Sequence, residues 1–353
     1  MPARGQTSMR AVVVDGVRAV PVVREVPVPV PPHGGVVVRV VATGLCRSDW
    51  HAWAGHDDIA WPHVPGHELA GVVVALGSDV RRWAVGDRVT VPFVCGCGTC
   101  AWCRAGDAQV CPDQQQPGFT HWGSFAEQVV LHAADTNLVG VPEPIDLVTA
   151  ASLGCRFATA YRALAARARV EPGEWVAVVG AGGVGLSAVM IARALGARVV
   201  AVDRNPAALQ VASSLGAQAV VLADGRDVPG SVTEVTGGGA HVALDAVGSE
   251  ETCRDAVLSL RRRGRHVQVG LLPPVDGLPG VPMDRVIAWE LDLLGSHGMA
   301  AVGYPAMLAL IEQGRLEPQR LVERVIGLEE AAAALPCFDR AVVAGMTIID
   351  PTR

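Results

Sequence analysis

The chain has 353 residues, half of them hydrophobic, and a formal net charge of −6. This length suits two domains with complete cores, and the acidic balance argues against a nucleic-acid-binding surface. No apolar run approaches the roughly 18 residues of a membrane span, and the N-terminus lacks the apolar core of a signal peptide, so we expect a cytoplasmic protein without a membrane partner. All 29 basic residues are arginine, which excludes Schiff-base chemistry and a P-loop lysine.

The N-terminal region, residues 9–41, alternates short valine-rich runs with proline and glycine. This pattern predicts β-strands joined by tight turns, the start of a β-rich or barrel-like domain. The nine cysteines of the chain should not form disulfides in a reducing cytosol. Five of them lie between positions 95 and 111, and this clustering favours metal binding.

Two short polar segments follow the first strands. Cys46 begins the first and Asp49 lies within it, while His67 and Glu68 stand together about twenty residues later. Taken singly, such a cysteine or histidine is more often a packed core residue than a ligand. Together they supply a thiolate and an imidazole, and Asp49 could accept the second ring N–H of His67, as metal-bound histidines usually require.

A cysteine-rich segment comes next, with the spacing C-x2-C-x2-C-x7-C and one further thiol, Cys95, beside it. Four thiolates with no open position make a structural zinc site, and an iron–sulfur cluster is the competing interpretation. The four proposed ligands are Cys97, Cys100, Cys103 and Cys111.

A glycine-rich turn organises the second half of the chain. An apolar run at 176–179 predicts a strand, 186–195 a helix and 198–202 the next strand, which ends at Asp203. The turn between the first two has the pattern G-x-G-x-x-G, so its backbone can approach a pyrophosphate at the helix N-terminus. Asp203 could accept hydrogen bonds from an adenosine ribose, which favours NAD, whereas Arg204 could hold the 2′-phosphate of NADP. The turn consists of Gly180, Ala181, Gly182, Gly183, Val184 and Gly185.

Strands and helices continue to alternate after Asp203, which predicts a doubly wound parallel sheet. Strands are expected at 219–222, 241–247, 265–270 and 291–295, and helices at 207–215, 251–262 and 284–289. The arginines at 261–263 are interpreted as a solvated helix end. A helix at 304–313 and strand-like segments at 322–328 and 342–349 should return to the first domain. The predicted domains are 1–153, 154–296 and the returning segment 297–353.

The order of these motifs resembles the zinc-dependent medium-chain alcohol dehydrogenases. The motifs are G-L-C-R-S-D-x-H, G-H-E, C-G-x-C-x-x-C and G-x-G-G-x-G, and the resemblance covers essentially the whole chain. It implies an α/β protein with a GroES-like β-rich catalytic domain and a Rossmann coenzyme domain. It also implies two zinc ions per chain, one structural and one catalytic, and NAD as the cofactor.

The resemblance assigns roles to individual residues near the catalytic zinc. Cys155, on a helix predicted at 150–164, would be the third zinc ligand with Cys46 and His67. A cysteine at this place is typical of alcohol-oxidising members, whereas polyol dehydrogenases tend to have glutamate. Glu68 is expected to be a transient ligand, to stand behind the metal or to be structural.

The implied proton path runs from the alcohol through Ser48 and the nicotinamide ribose to His51 at the surface. Arg47 would pair with the cofactor pyrophosphate, and further cofactor contacts are expected at Val247, Val269 and Gly270. Apolar walls of a substrate cleft are predicted at Trp50, Phe93 and Trp122.

The expected reaction is reversible hydride transfer between a primary or secondary alcohol and NAD, giving an aldehyde or ketone. A polyol or formaldehyde dehydrogenase of the same fold and a non-catalytic nucleotide-binding protein are the alternatives. Family analogy suggests a homo-oligomer, a tetramer rather than a dimer.

Overall fold

The computed structural model describes residues 7–272, 280–340 and 345–353. The chain consists of two compact units. The first consists of Met1–Ala158, Gly298–Glu312 and Pro318–Arg353, and the second of Thr159–His297 with Gln313–Glu317. The predicted domain limits did not include the short segment Gln313–Glu317 in the second unit.

The first unit begins with valine-rich strands, as the alternation of apolar runs and turn residues predicts. They are β1 (Ser8–Val13), β2 (Val22–Pro27), β3 (Val36–Leu45), β4 (Glu68–Leu76), β5 (Arg88–Thr90), β6 (Gln128–Leu131) and β7 (Val139–Gly140). Strands β1 and β2 pair with each other, while β3 pairs antiparallel with both β4 and β6. The valines of β3 and β4 bury one face against Leu69, Leu131 and Leu138, and such burial stabilises by about 25 cal/mol per Å².

Short helices connect these strands. They are α1 (Arg47–Ala54), α2 (Ala101–Arg104), α3 (Ala134–Asn137), α4 (Leu147–Ala151) and α5 (Ala158–Tyr161). The regular helix predicted over 150–164 is wrong in detail, because π-helical turns at Leu153–Phe157 and Arg162–Arg167 interrupt it. Cys155 lies in the first π-helical turn. Single π turns of this kind are frequently found at functional sites.

The second unit contains a six-stranded parallel sheet, and the predicted doubly wound fold is confirmed. Its strands are β8 (Trp175–Val179), β9 (Arg198–Asp203), β10 (Ala219–Leu222), β11 (Ala240–Asp245), β12 (Leu260–Gln268) and β13 (Asp292–Gly295). Their order is β10-β9-β8-β11-β12-β13. The helices are α6 (Gly183–Ala194), α7 (Pro206–Ser214), α8 (Val228–Thr236), α9 (Glu250–Leu258) and α10 (Met283–Trp289).

Two sequence predictions in this unit are corrected. Helix α8 was missed, although Asp227 caps it by accepting the N–H of Gly230 and a proline stands in its first turn. Helix α9 ends at Leu258, so Arg261–Arg263 lie in strand β12 and not at a helix end. Buried Leu260 pairs with β11, and residues 265–268 pair with both β11 and β13. Arg261–Arg263 lie in the irregular stretch between these paired parts, where Arg263 has a φ of 58°.

The returning segment completes the first unit. It contains α11 (Tyr304–Glu312), α12 (Leu328–Ala334), β14 (Val322–Ile326) and β15 (Met346–Ile349). Strand β14 pairs with β15, and β15 pairs antiparallel with β3. The first part of the strand predicted over 342–349 lies outside the described residues. Among the residues that the structure describes, no helix has the length and apolarity needed to cross a membrane.

Candidate active site

Helix α1 begins with a capping box that also organises the candidate metal site. Cys46 precedes the helix in an extended conformation, and the carboxylate of Asp49, three residues on, accepts the backbone N–H of Cys46 at 2.9 Å. The same buried carboxylate accepts the N–H of Gly66 at 3.1 Å and the Nδ1–H of His67 at 2.9 Å. Asp49 therefore joins two ligand segments separated by about twenty residues of sequence.

Donor atoms from three separate segments converge beside Asp49. The Cys46 and Cys155 Sγ atoms, a His67 ring nitrogen and a Glu68 carboxylate oxygen all lie within 4.8 Å of one another. Nδ1 of His67 is bound to Asp49, while its Nε2 is buried without a hydrogen-bond partner. An orphaned buried polar atom costs about 1–3 kcal/mol, and a metal bound at Nε2 would remove that cost. Two sulfurs and an imidazole nitrogen form a donor set that suits zinc.

The electrostatics of the cluster favour one thiolate. The neighbouring Cys155 thiol, followed by His67 and Arg156, lowers the pKa of Cys46 well below its ordinary value against the effect of burial. Proximity to Cys46, together with burial, raises the pKa of Cys155. Burial disfavours a charged His67, but the Asp49 carboxylate and Cys46 together outweigh it and raise the pKa of the imidazole. The cluster thus holds a thiolate and an oriented imidazole in a buried place.

Glu68 forms a buried ion pair with a residue that the sequence reasoning missed. Its Oε1 accepts the backbone N–H of Arg156 at 2.9 Å and Nε–H at 3.0 Å, and its Oε2 accepts Nε–H at 3.0 Å and a short contact from Nη2. Both side chains are almost completely buried. A Cβ atom on Gly44 would lie 2.1 Å from Glu68 Oε2, so the glycine leaves room for this pair. Among the roles expected for Glu68, these contacts favour the structural one, in which Glu68 supports the π-helical turn that carries Cys155.

The cysteine lobe forms a second, separate donor cluster. The Sγ atoms of its four cysteines lie within 4.8 Å of one another: Cys97, Cys100, Cys103 and Cys111. Backbone N–H groups point at the sulfurs, from Cys97 to Cys111, from Cys100 to Cys97 and from Cys103 to Cys100, each at 3.4 Å. Such donors stabilise thiolates. Cys95 lies outside the cluster, and burial raises its pKa to about 12, which makes it an inert packed thiol.

The glycine turn lies between β8 and the N-terminus of α6. The Asp203 carboxylate at the end of β9 accepts the N–H of Ala181 at 2.6 Å and the N–H of Asn205 at 2.8 Å. A Cβ atom on Gly185 would lie 1.7 Å from the carbonyl oxygen of Gly180, so close packing of helix on turn requires glycine there. A Cβ atom on Gly182 would meet no atom within 4 Å, which leaves the turn open at the helix N-terminus.

The other predicted cofactor contacts lie at the carboxyl ends of β11 and β12. Buried Asp245 organises them, because its carboxylate accepts the N–H of Val247 at 2.9 Å and that of Gly248 at 3.1 Å. Its main-chain oxygen accepts the N–H groups of Val269 at 3.1 Å and Gly270 at 2.9 Å. Parallel sheets of this kind bind ligands at the carboxyl ends of their strands.

The residues predicted for the proton path lie on α1. Ser48 Oγ is 3.9 Å from Cys46 Sγ. Half-buried His51, on the last turn of the helix, contacts the exposed ring of His56, with 2.8 Å between their Nδ1 atoms. Arg47 is exposed, and its guanidinium carbon lies 5.8 Å from the centre of the Phe338 ring.

Comparison with known proteins gives two family matches. The alcohol dehydrogenase GroES-like domain matches residues 32–143, and the zinc-binding dehydrogenase domain matches residues 183–313. An alcohol dehydrogenase of Rhizobium meliloti (strain 1021) is 40% identical over 262 residues, which cover 73% of this chain and 76% of the relative. The chain belongs to the zinc-dependent medium-chain alcohol dehydrogenases.

Solved structures of this dehydrogenase family share the fold over almost the whole chain. An NAD-dependent alcohol dehydrogenase superposes with a TM-score of 0.87 at 32% identity and covers 97% of this chain and 99% of its own. A zinc-binding dehydrogenase from Sinorhizobium meliloti 1021, solved with NADP, has a TM-score of 0.88 at 28% identity, with 98% and 100% covered. The predicted fold class, a GroES-like domain with a Rossmann domain, is therefore confirmed.

The aromatic residues predicted to line the substrate cleft of this family member have different neighbours. Phe93 is 6.1 Å from the His67 ring, but Trp50 packs edge-on against His51. Trp122 lines a surface groove, and its indole N–H donates to the carbonyl oxygen of Pro62. Phe119, which the sequence reasoning did not choose, lies 5.3 Å from the His67 ring. The segment that follows the cysteine lobe thus contributes Phe119 beside the donor cluster, whereas a cleft role for Trp122 stays a prediction.

Proposed function

We propose that this chain transfers a hydride reversibly between a primary or secondary alcohol and NAD, giving an aldehyde or ketone. The observation that carries the proposal is the convergence of Cys46, His67 and Cys155, with the buried Nε2 of His67 lacking any partner among the described residues. Family membership supports zinc-dependent alcohol oxidoreduction. That the cofactor is NAD, and that the reaction is the general alcohol dehydrogenase reaction, are our own inferences beyond family membership.

Cys46, His67 and Cys155 would hold the catalytic zinc. Three protein ligands leave zinc an open position, where it acts as a Lewis acid and lowers the pKa of a hydroxyl to about 7. The residues around it supply orientation. Asp49 holds the proton on Nδ1 of His67 and so keeps Nε2 available as the ligand nitrogen. Two thiolates would balance the charge of the divalent ion.

The four lobe cysteines would hold a second, structural zinc. Backbone N–H groups directed at three of these sulfurs, those of Cys97, Cys100 and Cys111, would stabilise thiolates there. A closed set of four ligands leaves no position for a substrate, so this site would stabilise the lobe. An iron–sulfur cluster remains the alternative metal, and elemental analysis distinguishes the two.

The glycine turn and Asp203 would bind the adenosine half of the cofactor. The carboxylate already accepts two backbone N–H groups, which fixes it beside the turn. A carboxylate there accepts ribose hydroxyls and repels a 2′-phosphate, which supports NAD. Arg204 is exposed and would be the residue that holds the phosphate if NADP were used. We further propose that Arg47 pairs with the pyrophosphate and that Val247, Val269 and Gly270 contact the nicotinamide half.

Ser48 and His51 would carry the proton released from the alcohol. The Ser48 hydroxyl lies near Cys46 Sγ, and a hydroxyl both accepts and donates a proton without a net change of charge. His51 is half-buried on the last turn of α1 and has a side chain whose ordinary pKa is near neutral.

We also propose that the protein is a cytoplasmic homotetramer. Cell fractionation would test its location, and light scattering would test its oligomeric state.

The test combines metal analysis with a substrate panel. Wild-type protein should contain two zinc ions per chain and form NADH, seen by its absorbance, from simple alcohols. Replacing Cys46 by serine should remove one zinc and nearly all turnover while NADH binding persists, with Cys337→Ser as the control because Cys337 is exposed and belongs to neither donor cluster. Retention of both zinc ions and of activity in Cys46→Ser would refute the site assignment.

The same panel separates the alternatives within the family. Cys155 favours a general alcohol substrate, and Phe93 with Phe119 beside His67 supports an apolar one. Turnover restricted to polyols, or to formaldehyde with a thiol, would instead establish a polyol or formaldehyde dehydrogenase of the same fold. Cofactor binding without turnover on any substrate would establish a non-catalytic protein.

A further inference from the structure

Helix α1 ends in a backbone motif that places two histidines in contact. Gly55 follows the helix in the left-handed conformation, with φ of 87°. Its N–H donates to the carbonyl oxygen of Ala52 at 3.1 Å, and the N–H of His56 donates to the carbonyl oxygen of His51 at 3.0 Å. This pair of bonds is a Schellman motif, which brings the side chains of the two bonded outer positions together. Those positions usually make a hydrophobic contact, but here both are histidine.

The contact between the two rings requires a proton between them. Their Nδ1 atoms are 2.8 Å apart, so one nitrogen donates an N–H and the other accepts it with its lone pair. The pair can therefore carry one extra proton but not two while the contact lasts, because two imidazolium rings would oppose N–H to N–H. Trp50 packs edge-on against both rings, with centroid distances of 5.1 Å to His51 and 5.5 Å to His56.

The surroundings of the pair direct a proton outward. His51 is half-buried, whereas His56 is exposed. Burial, then the charges of His56 and Arg47, lower the pKa of His51, while Asp57 and Cys46 oppose this effect. A proton on His51 is thus less stable than it would be on a fully exposed histidine. The Nδ1 of exposed His56 lies 2.8 Å from that of His51 and can accept the proton between them.

We propose that His51 and His56 form a two-histidine outlet for the proton released by alcohol oxidation. One proton arrives at His51, the proton between the two Nδ1 atoms shifts to His56, and His56 releases one proton to water. No electron moves, and the pair regains its starting charge. This inference deepens the proposed function and rests on it, since the proton comes from the alcohol.

The kinetic test compares wild type with His56→Gln, His51→Gln and the double variant. The substitution His56→Gln leaves the Schellman motif intact, because that motif uses only backbone atoms. We expect His56→Gln to slow alcohol oxidation by up to about tenfold near pH 6, since general acid–base assistance contributes about 10²–10⁴-fold and an exposed relay lies below that range. The defect should shrink as the pH rises and hydroxide replaces the outlet, and imidazole buffer should restore part of the rate.

Residues that act in series give effects that do not add. The double variant should therefore be no slower than His51→Gln alone, whereas a purely structural His56 would add its own loss. The control is His33→Gln, because His33 is exposed in the same unit and its ring contacts the Ser78 hydroxyl, far in sequence from α1. A pH–rate profile of His56→Gln that superimposes on the wild type would overturn the outlet.

A second measurement needs neither substrate nor cofactor. Histidine ring signals followed by NMR across pH should titrate as a coupled pair in the wild type. Replacing His56 should raise the pKa of His51, because the neighbouring positive charge is gone. Independent titration of the two rings would overturn the inference even if kinetics changed. A wild type that oxidises no alcohol would overturn the proposed function and the outlet together, whereas an active wild type with uncoupled rings would overturn the outlet alone.

Discussion

Replacement of Asp49 by asparagine should weaken metal binding without unfolding the protein. The carboxylate accepts three N–H groups, two at Oδ1 from Gly66 and His67 and one at Oδ2 from Cys46. An asparagine oxygen at the Oδ1 position would keep the first two bonds. Its NH₂ group would then oppose the N–H of Cys46. Two buried donor groups, that N–H and the NH₂ group itself, are left unpaired, and the N-terminus of α1 loses its capping box.

The expected magnitudes follow from this count. Two unpaired buried donor groups lower the free energy of unfolding by about 2–6 kcal/mol. Loss of the carboxylate behind His67 should lower the affinity of the catalytic site for zinc by about 10–100-fold, which is roughly 1.4–2.7 kcal/mol. Asp49→Ala would instead leave three donors unpaired, about 3–9 kcal/mol. That is comparable with the whole stability of a domain, about 5–15 kcal/mol, so asparagine is the interpretable change.

The assay is competition for zinc against a chromophoric chelator, with thermal unfolding measured in parallel. One zinc per chain should become easier to remove and the other, in the cysteine lobe, should not change. Asp58→Asn is the matched control, because Asp58 is exposed shortly after the end of α1. A lowered Tm with wild-type zinc affinity would show that Asp49 supports only the fold, and our account of His67 orientation would then fail.

Two further predictions concern the other sites. Cys100→Ala should remove the structural zinc and lower the Tm by about 4–8 °C if roughly 2 kcal/mol is lost, while the catalytic zinc and NADH binding persist. Iron in place of zinc in the wild type would contradict the assignment. Asp203→Ala should reduce the kcat/KM preference for NAD over NADP by about 10–100-fold, because one charge-assisted hydrogen bond contributes a free energy of that size. A wild-type preference for NADP would show that Arg204 decides the cofactor.

Local chemistry made much of this molecule predictable from sequence. The glycine turn, the strand before it and the acid after it lie within one short stretch, and the alternating pattern predicts most strands of the parallel sheet. The lobe cysteines likewise lie close in sequence, so their spacing alone predicts one cluster. These features depend on interactions between near neighbours, which a single sequence displays directly.

Contacts between distant segments could not be predicted in the same way. The partner of Glu68 is Arg156, 88 residues later, and no local pattern connects them. Phe119 and Trp122 are both aromatic residues of one segment, and only the turn geometry decides which side chain faces His67. Arg261–Arg263 lie within strand β12 because the residues on either side of them, Leu260 and 265–268, pair with neighbouring strands. In each case tertiary packing outweighs what the nearby residues prefer.

One eight-residue helix links the two halves of the proposed chemistry. Cys46 stands at the start of α1, Asp49 lies in its first turn and His51 in its last, and the glycine that ends the helix brings His56 back onto His51. Each residue of a helix is rotated by about 100° from the one before it. The side chain that orients the ligand and the histidine that takes the proton therefore keep a fixed angular relation to each other. The capping box at one end and the Schellman motif at the other fix the length of the helix, so the same backbone hydrogen bonds that form α1 also set the positions of the metal ligand and of the proton outlet.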